Sequence, residues 1–259
     1  VAREVPIFQK YNIIMESELS LLFQRCVEVF SAGTDNADIG ENYLRIKKYA
    51  KKFSPVIILL ENSHSLIMQL DPILFKIGWG WDSFNSGLHG FLYDKKNKLV
   101  FKEKVPNYQL FVTKPTYENV IENIPFSKTF WVKENLLNDK SKKALKKFSD
   151  IAKLITEEFN FFDIIFHNGL DQAQCKNKCN YNINLENGNI NLNIKNFLKI
   201  LNKTCNRSKI NCIDIPLPKH TDYSSKLTWI FDGHYSTTGH QWLAENLSKK
   251  IYEKYKNIY

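Results

Sequence analysis

One stretch of the chain sets an acid and a base at a spacing that suits proton transfer. In Trp229-Ile-Phe-Asp-Gly-His-Tyr-Ser-Thr-Thr-Gly-His-Gln-Trp-Leu-Ala-Glu-Asn-Leu, Asp232 and His234 stand two residues apart, just ahead of a segment with helical periodicity. In an extended loop, positions i and i+2 point the same way. The carboxylate can then accept a hydrogen bond from one imidazole nitrogen, fixing the tautomer and leaving the other nitrogen to take a proton from a nucleophile. Such base catalysis is typically worth about 10²–10⁴ in rate. An isolated Asp-x-His is more often a turn cap beside a surface histidine. Here Gly239 follows, where the chain must turn into a helix. His240, next to that glycine, is expected to pack within the helix rather than catalyse.

The elements that must position these groups follow from apolar periodicity. Residues 9–24 carry Tyr11, Ile14, Met15, Leu19, Leu22 and Phe23 at helical spacing, and Val27–Phe30 reads as a short strand. A second amphipathic helix (Tyr43, Ile46, Tyr49, Ala50, Phe53) runs up to Pro55, and the apolar strand Val56–Leu60 follows. Gly90-Phe-Leu-Tyr and Leu99-Val-Phe, separated by Asp94-Lys-Lys-Asn-Lys, predict a β-hairpin with a polar turn. Ala144, Leu145, Phe148, Ile151, Ala152, Ile155 and Phe159 predict a helix, and strand Phe162–Phe166 comes directly after it. The Asn-rich segment 180–191 reads as a surface loop or excursion. A helix through Ile194, Phe197, Leu198 and Leu201, strand Ile210–Ile215, and a last helix striped by Leu243, Leu247 and Ile251 complete the chain. Helices alternating with wholly apolar strands predict an α/β fold with a parallel sheet covered on both faces. In such sheets the site forms at the carboxyl ends of the strands. The loops there are 31–36, 61–65, 167–171 and 216–234.

Composition narrows the function classes. With 259 residues, 43% of them apolar, the chain is expected to be globular. It has no run of the roughly 18 apolar residues that a membrane helix needs. A net charge of +9 raises a nucleic-acid partner. The lysines are scattered, however, in pairs such as Lys47-Lys48, Lys51-Lys52, Lys142-Lys143 and Lys146-Lys147 on solvated helix faces, so no nucleic-acid partner is expected. Cys26 sits in an apolar context and reads as a buried thiol. Cys175, Cys179, Cys205 and Cys212 allow three pairings, among which sequence does not choose, and their spacing matches no common zinc site. Disulfides would fit an extracytoplasmic protein. Free thiols are the alternative.

The terminal string resembles the last conserved block of SGNH/GDSL hydrolases and the related glycan O-acetyltransferases. That block holds an Asp shortly before the catalytic His, a short polar turn, then Gly-His or Gly-Asn opening an apolar helix, as Asp232, His234 and Gly239 do here. Val27-Glu-Val-Phe-Ser-Ala-Gly and Val56-Ile-Ile-Leu-Leu are similar to the family's second and third strands, and the hairpin ending in Lys104-Val-Pro to one in long bacterial members. The resemblance implies a three-layer α/β/α sandwich of flavodoxin-like type. It would form one domain over 1–259, incomplete at its N-terminus, with a hairpin insertion at 88–112 and an Asn/Cys-rich loop insertion at 172–192. It further implies an oxyanion hole, for which Asn62 and Gly33 are the candidates, although Asn36 stands where the family has a glycine.

The family nucleophile lies in Gly-Asp-Ser, which this sequence does not contain. The family interval back from Val27 reaches Val1, so the block is expected immediately upstream. Ser63, in Leu-Leu-Glu-Asn-Ser-His-Ser, is the alternative nucleophile within the chain. The expected activity is ester hydrolysis or O-acyl transfer on a glycan, lipid or small-molecule ester, without a metal or organic cofactor. A catalytically inactive binding protein on the same fold is the competing expectation.

Overall fold

The computed structural model describes residues 6–32, 39–61, 90–102, 133–137, 139–160, 162–169, 173, 180–185, 188–215, 226–228 and 235–258. Among them lie helices α1 (Tyr11–Phe23), α2 (Ile39–Phe53), α3 (Asp139–Glu158), α4 (Ile194–Ser208) and α5 (Thr237–Tyr255). The strands are β1 (Ile57–Glu61), β2 (Gly90–Tyr93), β3 (Leu99–Lys102), β4 (Asp163–His167), β5 (Asn180–Leu185), β6 (Gly188–Asn193) and β7 (Cys212–Ile213). The architecture is mixed α/β, with a parallel sheet in the order β1-β4-β7 and two separate hairpins. Contacts divide the chain into two compact units. One comprises Val1–Asp35, His167–Cys179 and Ile213–Tyr259, the other Asn36–Phe166 and Asn180–Cys212.

In the first unit α1 packs along α5. Tyr11 and His240 stack near the starts of the two helices, with ring centroids 5.8 Å apart, and Phe23 meets Tyr252 edge-on at 5.2 Å near their ends. Start against start and end against end means that the two helices run parallel. Met15 and Leu19 of α1 and Leu243, Leu247 and Ile251 of α5 are buried. The α5 stripe is the one its periodicity predicts.

The segment after α1 departs from expectation. Gln24 closes the helix in the left-handed region, and residues 27–30 carry no strand assignment. The Val27 N–H donates to Ser20 Oγ at 3.0 Å, and the Val29 N–H to Glu16 Oε2 at 2.9 Å. Side chains of α1 thus take backbone donors that a neighbouring strand would otherwise use. Phe30 is 61% exposed, and Cys26 is a free, exposed cysteine rather than a buried thiol. An apolar context buries a residue only when the segment joins the core.

In the second unit the predicted α3 stripe, Ala144 through Phe159, is buried throughout. Phe148 meets Phe166 of β4 edge-on at 5.7 Å. β4 runs between β1 and β7. The Asp163 N–H donates to the Val56 carbonyl and the Phe166 N–H to the Asn211 carbonyl. Ile164, Ile165 and Phe166 are all buried although successive side chains leave opposite faces of a strand. The hairpin β2–β3 forms in the predicted place, with Gly90 opposite Lys102 and Tyr93 opposite Leu99. Its turn is organised by Asp94, whose carboxylate accepts from the N–H groups of Lys96 and Lys98. Tyr43 of α2 packs its ring against Phe91, Phe101 and Phe159, and Tyr93 donates to Asp150, so the hairpin is tied to both α2 and α3.

The Asn-rich segment is a second hairpin, not a loop. β5 pairs antiparallel with β6, with Tyr181 opposite Leu192, Ile183 opposite Ile190 and Asn182 opposite Asn191. Alternation of Asn with apolar residues on both sides of Asn187-Gly188 is a strand and turn signal, which the abundance of Asn masks.

Lys51, Lys52, Lys142, Lys143 and Lys146 are exposed. Lys47 pairs with Glu158, Lys146 with Asp150 and Lys203 with Glu134. No helix among the described residues is long and apolar enough to cross a membrane.

Of the three cysteine pairings that sequence allows, the structure contains a Cys205–Cys212 disulfide, joining the end of α4 to β7. Cys175 and Cys179 lie outside the described residues. Cross-linking residues 7 apart closes a short loop, so reduction should lower unfolding free energy by about 2.5 kcal/mol through the unfolded chain. Urea unfolding with and without reductant, and of a Cys205→Ser/Cys212→Ser pair, checks this. Identical midpoints would refute it.

Candidate active site

The five candidate residues Asp232, His234, Asn62, Gly33 and Ser63 lie outside the described residues, and so does Asn36. What is described is the frame on either side of segment 229–234, within the first unit. Thr228 and Tyr235, which flank that segment, pair in an isolated antiparallel bridge. The Ser236 N–H donates to the Leu227 carbonyl at 2.9 Å, continuing the pairing by one step.

Ser236 then starts α5. Its hydroxyl accepts from the Gly239 N–H at 3.1 Å, satisfying one of the free donors of the first helical turn, and itself donates to the Lys226 carbonyl. One side chain thereby serves as helix cap and as tether to the incoming strand of the loop. Gly239 permits the approach. A Cβ built there would stand 1.9 Å from the Leu227 carbonyl oxygen and 3.2 Å from Cδ1 of Tyr235. Leu227, Thr228, Tyr235 and Ser236 are all buried.

His240 takes the packing role that the sequence suggests. It is 4% exposed, and its Nδ1 accepts from the Tyr11 N–H at 3.2 Å, capping an α1 start that has no side-chain cap of its own. An accepting Nδ1 carries no proton, so the neutral ring holds its proton on Nε2, which is buried without a hydrogen-bond partner among the described residues. Burial, aided by the positive charge of Lys10, pushes the imidazole pKa down to about 4. His240 is therefore neutral at neutral pH and already occupied as an acceptor.

A second polar cluster follows β4 and β7. Asn168, 2% exposed, donates from Nδ2 to Asp214 Oδ1 at 2.9 Å and accepts from the Ile215 N–H at 3.2 Å. Both ends of its amide are used, so it joins the chain leaving β4 to the chain leaving β7, which has only two residues in the ladder. His167 is buried beside it, and its Nδ1 accepts from the Gly169 N–H at 3.4 Å. The sequence puts loops 167–171 and 216–234 at strand ends but marks none of Asn168, Gly169 and Tyr235 within or beside them. The Ser-x-x-Gly spacing ahead of an apolar helix was the one available signal, for Ser236. Among the described residues, no group of three or more His, Cys, Asp or Glu is placed to hold a metal.

No family model, curated protein or solved structure matches this chain.

Two outcomes follow from this frame. Gly239→Ala forces a methyl group into a backbone carbonyl and should cost at least about 2 kcal/mol of stability, read by urea unfolding. A loss under 0.5 kcal/mol, roughly the scale of an ordinary surface change, would show that the first turn can move aside. His240 binds its proton more weakly folded than unfolded. Stability should be full above about pH 6.5 and fall towards pH 4, by up to about 3 kcal/mol from this group. Unfolding titrations of wild type and His240→Asn across that range should differ in slope. Parallel curves would rule the coupling out.

Proposed function

We propose that the chain is an ester hydrolase or O-acyltransferase of SGNH/GDSL type, a lipase/acylhydrolase-like enzyme acting on an acyl ester of a glycan, lipid or small molecule. The observation that carries this is the clamp around 229–234. Two backbone pairings, a doubly bonded Ser236 and a glycine in contact with the Leu227 carbonyl fix the residues on either side of the segment that bears Asp232 and His234. Proton transfer between positioned groups needs such rigidity, because small misplacements cost large factors in rate. The three residues buried in a row in β4 support the finer architecture, a three-layer α/β/α sandwich with 88–112 as a hairpin insertion.

In this mechanism a serine Oγ attacks the acyl carbon and His234 takes its proton. Asp232 orients the imidazole and stabilises the imidazolium that forms. Asn62 and backbone N–H groups, Gly33 among them, bind the oxyanion of the tetrahedral intermediate. As that intermediate collapses, the C–O bond to the leaving alcohol breaks and His234 returns the proton to it. Water or an acceptor hydroxyl then repeats the sequence on the acyl-enzyme. Ser63 is the nucleophile candidate within the chain. The absence of Gly-Asp-Ser from the sequence, together with Asn36 in place of a glycine, favours one alternative, a binding module without turnover.

Hydrolysis of p-nitrophenyl acetate separates the two. His234→Ala should lower kcat by about 10²–10⁴ relative to wild type, and Ser63→Ala should match it if that serine attacks. Equal rates for wild type and His234→Ala would leave only the binding module.

A further inference from the structure

From Asn42 to Leu60 the chain carries no Asp or Glu but has the cations Arg45, Lys47, Lys48, Lys51 and Lys52. The period of α2 distributes them. Tyr43, Ile46 and Ala50 are buried and form its core-facing stripe, so Lys48, Lys51 and Lys52 fall on the outer side, where all three are exposed. Lys47 is paired with Glu158, whereas Lys48, Lys51 and Lys52 make no ion pair among the described residues. Apolar surface lies open beside them. Phe53 is 40% exposed, and Val56, three residues further on, is 52% exposed. Tyr49 and Phe53, one helical turn apart, stack with ring centroids 6.2 Å apart.

We propose that the C-terminal end of α2 is a docking surface for an anionic phospholipid membrane. Three unpaired ammonium groups complement a layer of lipid headgroups that carry net negative charge. Lys51 and Lys52, in the last turn, also complement the helix dipole, but that role accounts for neither Lys48 nor the open apolar surface. Exposed Phe and Val side chains are unfavourable in water, and the boundary between headgroups and acyl chains would cover them. Lys48 Nζ stands 5.2 Å from the centroid of the Tyr49 ring and Lys52 Nζ 5.1 Å from that of Phe53. Each charge thus accompanies a ring, a pairing in which stems and rings enter the boundary while the ammonium groups reach the headgroups. The same geometry disfavours single-stranded nucleic acid, the other polyanion that basic and aromatic side chains bind. Bases stack on open ring faces. Here the two rings stack on each other, and each already has an ammonium over it.

The test is sedimentation of the full chain with vesicles of phosphatidylcholine alone and of phosphatidylcholine mixed with phosphatidylserine. Wild type should sediment with the mixed vesicles and not with phosphatidylcholine. Its binding should weaken sharply between about 0.1 M and about 1 M salt, as the screening length falls from about 10 Å to about 3 Å. A lysine near an anionic surface is worth about fivefold in partitioning, so the triple variant Lys48→Gln/Lys51→Gln/Lys52→Gln should lose about 10²-fold. Phe53→Ser should lose about fivefold at unchanged salt dependence. The control is Lys95→Gln/Lys96→Gln/Lys98→Gln, which removes the same charge from the exposed turn between β2 and β3. It should stay within about twofold of wild type, because the effect of a distant charge is screened. Far-UV circular dichroism should be the same for all variants, and no substrate is needed for the readout.

Equal binding to the two kinds of vesicle, or to neither, would overturn the proposal. So would an equal loss in the control variant, which would assign the binding to net charge rather than to α2. Retention of a single-stranded oligonucleotide that depends on Lys48, Lys51 and Lys52, without vesicle binding, would make the surface a nucleic-acid site instead.

Discussion

The first turn of α5 sits on a backbone carbonyl. A Cβ at residue 239 would come within 1.9 Å of the Leu227 oxygen, so the helix start and the strand entering segment 229–234 are separated by no side chain at all. Everything described around that segment depends on this contact. It brings Ser236 near enough for its hydroxyl to serve both the Gly239 N–H and the Lys226 carbonyl, and it sets Tyr235 opposite Thr228. Helix starts leave donors unsatisfied and loop ends leave backbone groups unpaired. Here each deficiency meets the other, which is why buried backbone at this place carries no evident polar penalty.

The same principle recurs one residue further on, where the starts of the first unit's two helices meet. α1 has no side-chain cap of its own, and an imidazole from α5 supplies the acceptor. The cost is a buried ring with a nitrogen that has no partner among the described residues. Asn168 makes a similar connection between the segments leaving β4 and β7, in this case with both amide ends satisfied. Where regular ladders stop, single side chains continue the hydrogen bonding, and buried ones do so with little freedom to rearrange.

Much of the fold was legible because burial follows period. The α3 stripe from Ala144 to Phe159 and the α5 stripe of Leu243, Leu247 and Ile251 are buried as their spacing implies. The hairpin of residues 90–102 forms where two apolar runs flank a turn led by Asp94. What was not legible has physical reasons. Val27–Phe30 has the composition of a strand, but Ser20 and Glu16 of the preceding helix accept its N–H groups, and with them went the expected burial of Cys26. The 180–193 hairpin was obscured because every second position of its strands is Asn, a residue that by itself signals loop. The Asp-x-His pair was visible as chemistry. The contact between Gly169 and Tyr235 was not, because it exists only in the tertiary structure and neither residue has a local pattern to announce it.

Glycine placement links these levels. Neither Gly169 nor Gly239 is there to reach an unusual backbone angle. Each is there because another group occupies the volume of its missing side chain, a phenol in one case and a carbonyl in the other. Close packing leaves no alternative use for that volume, since cores tolerate few voids. A methyl group at either position must therefore displace Tyr235, the Leu227 backbone or a Leu243 methyl, and two of these three adjoin the segment that carries the proposed acid–base pair. A change that loosens the start of α5 should therefore be felt first in the pairing of Thr228 with Tyr235 and only then in the fold as a whole.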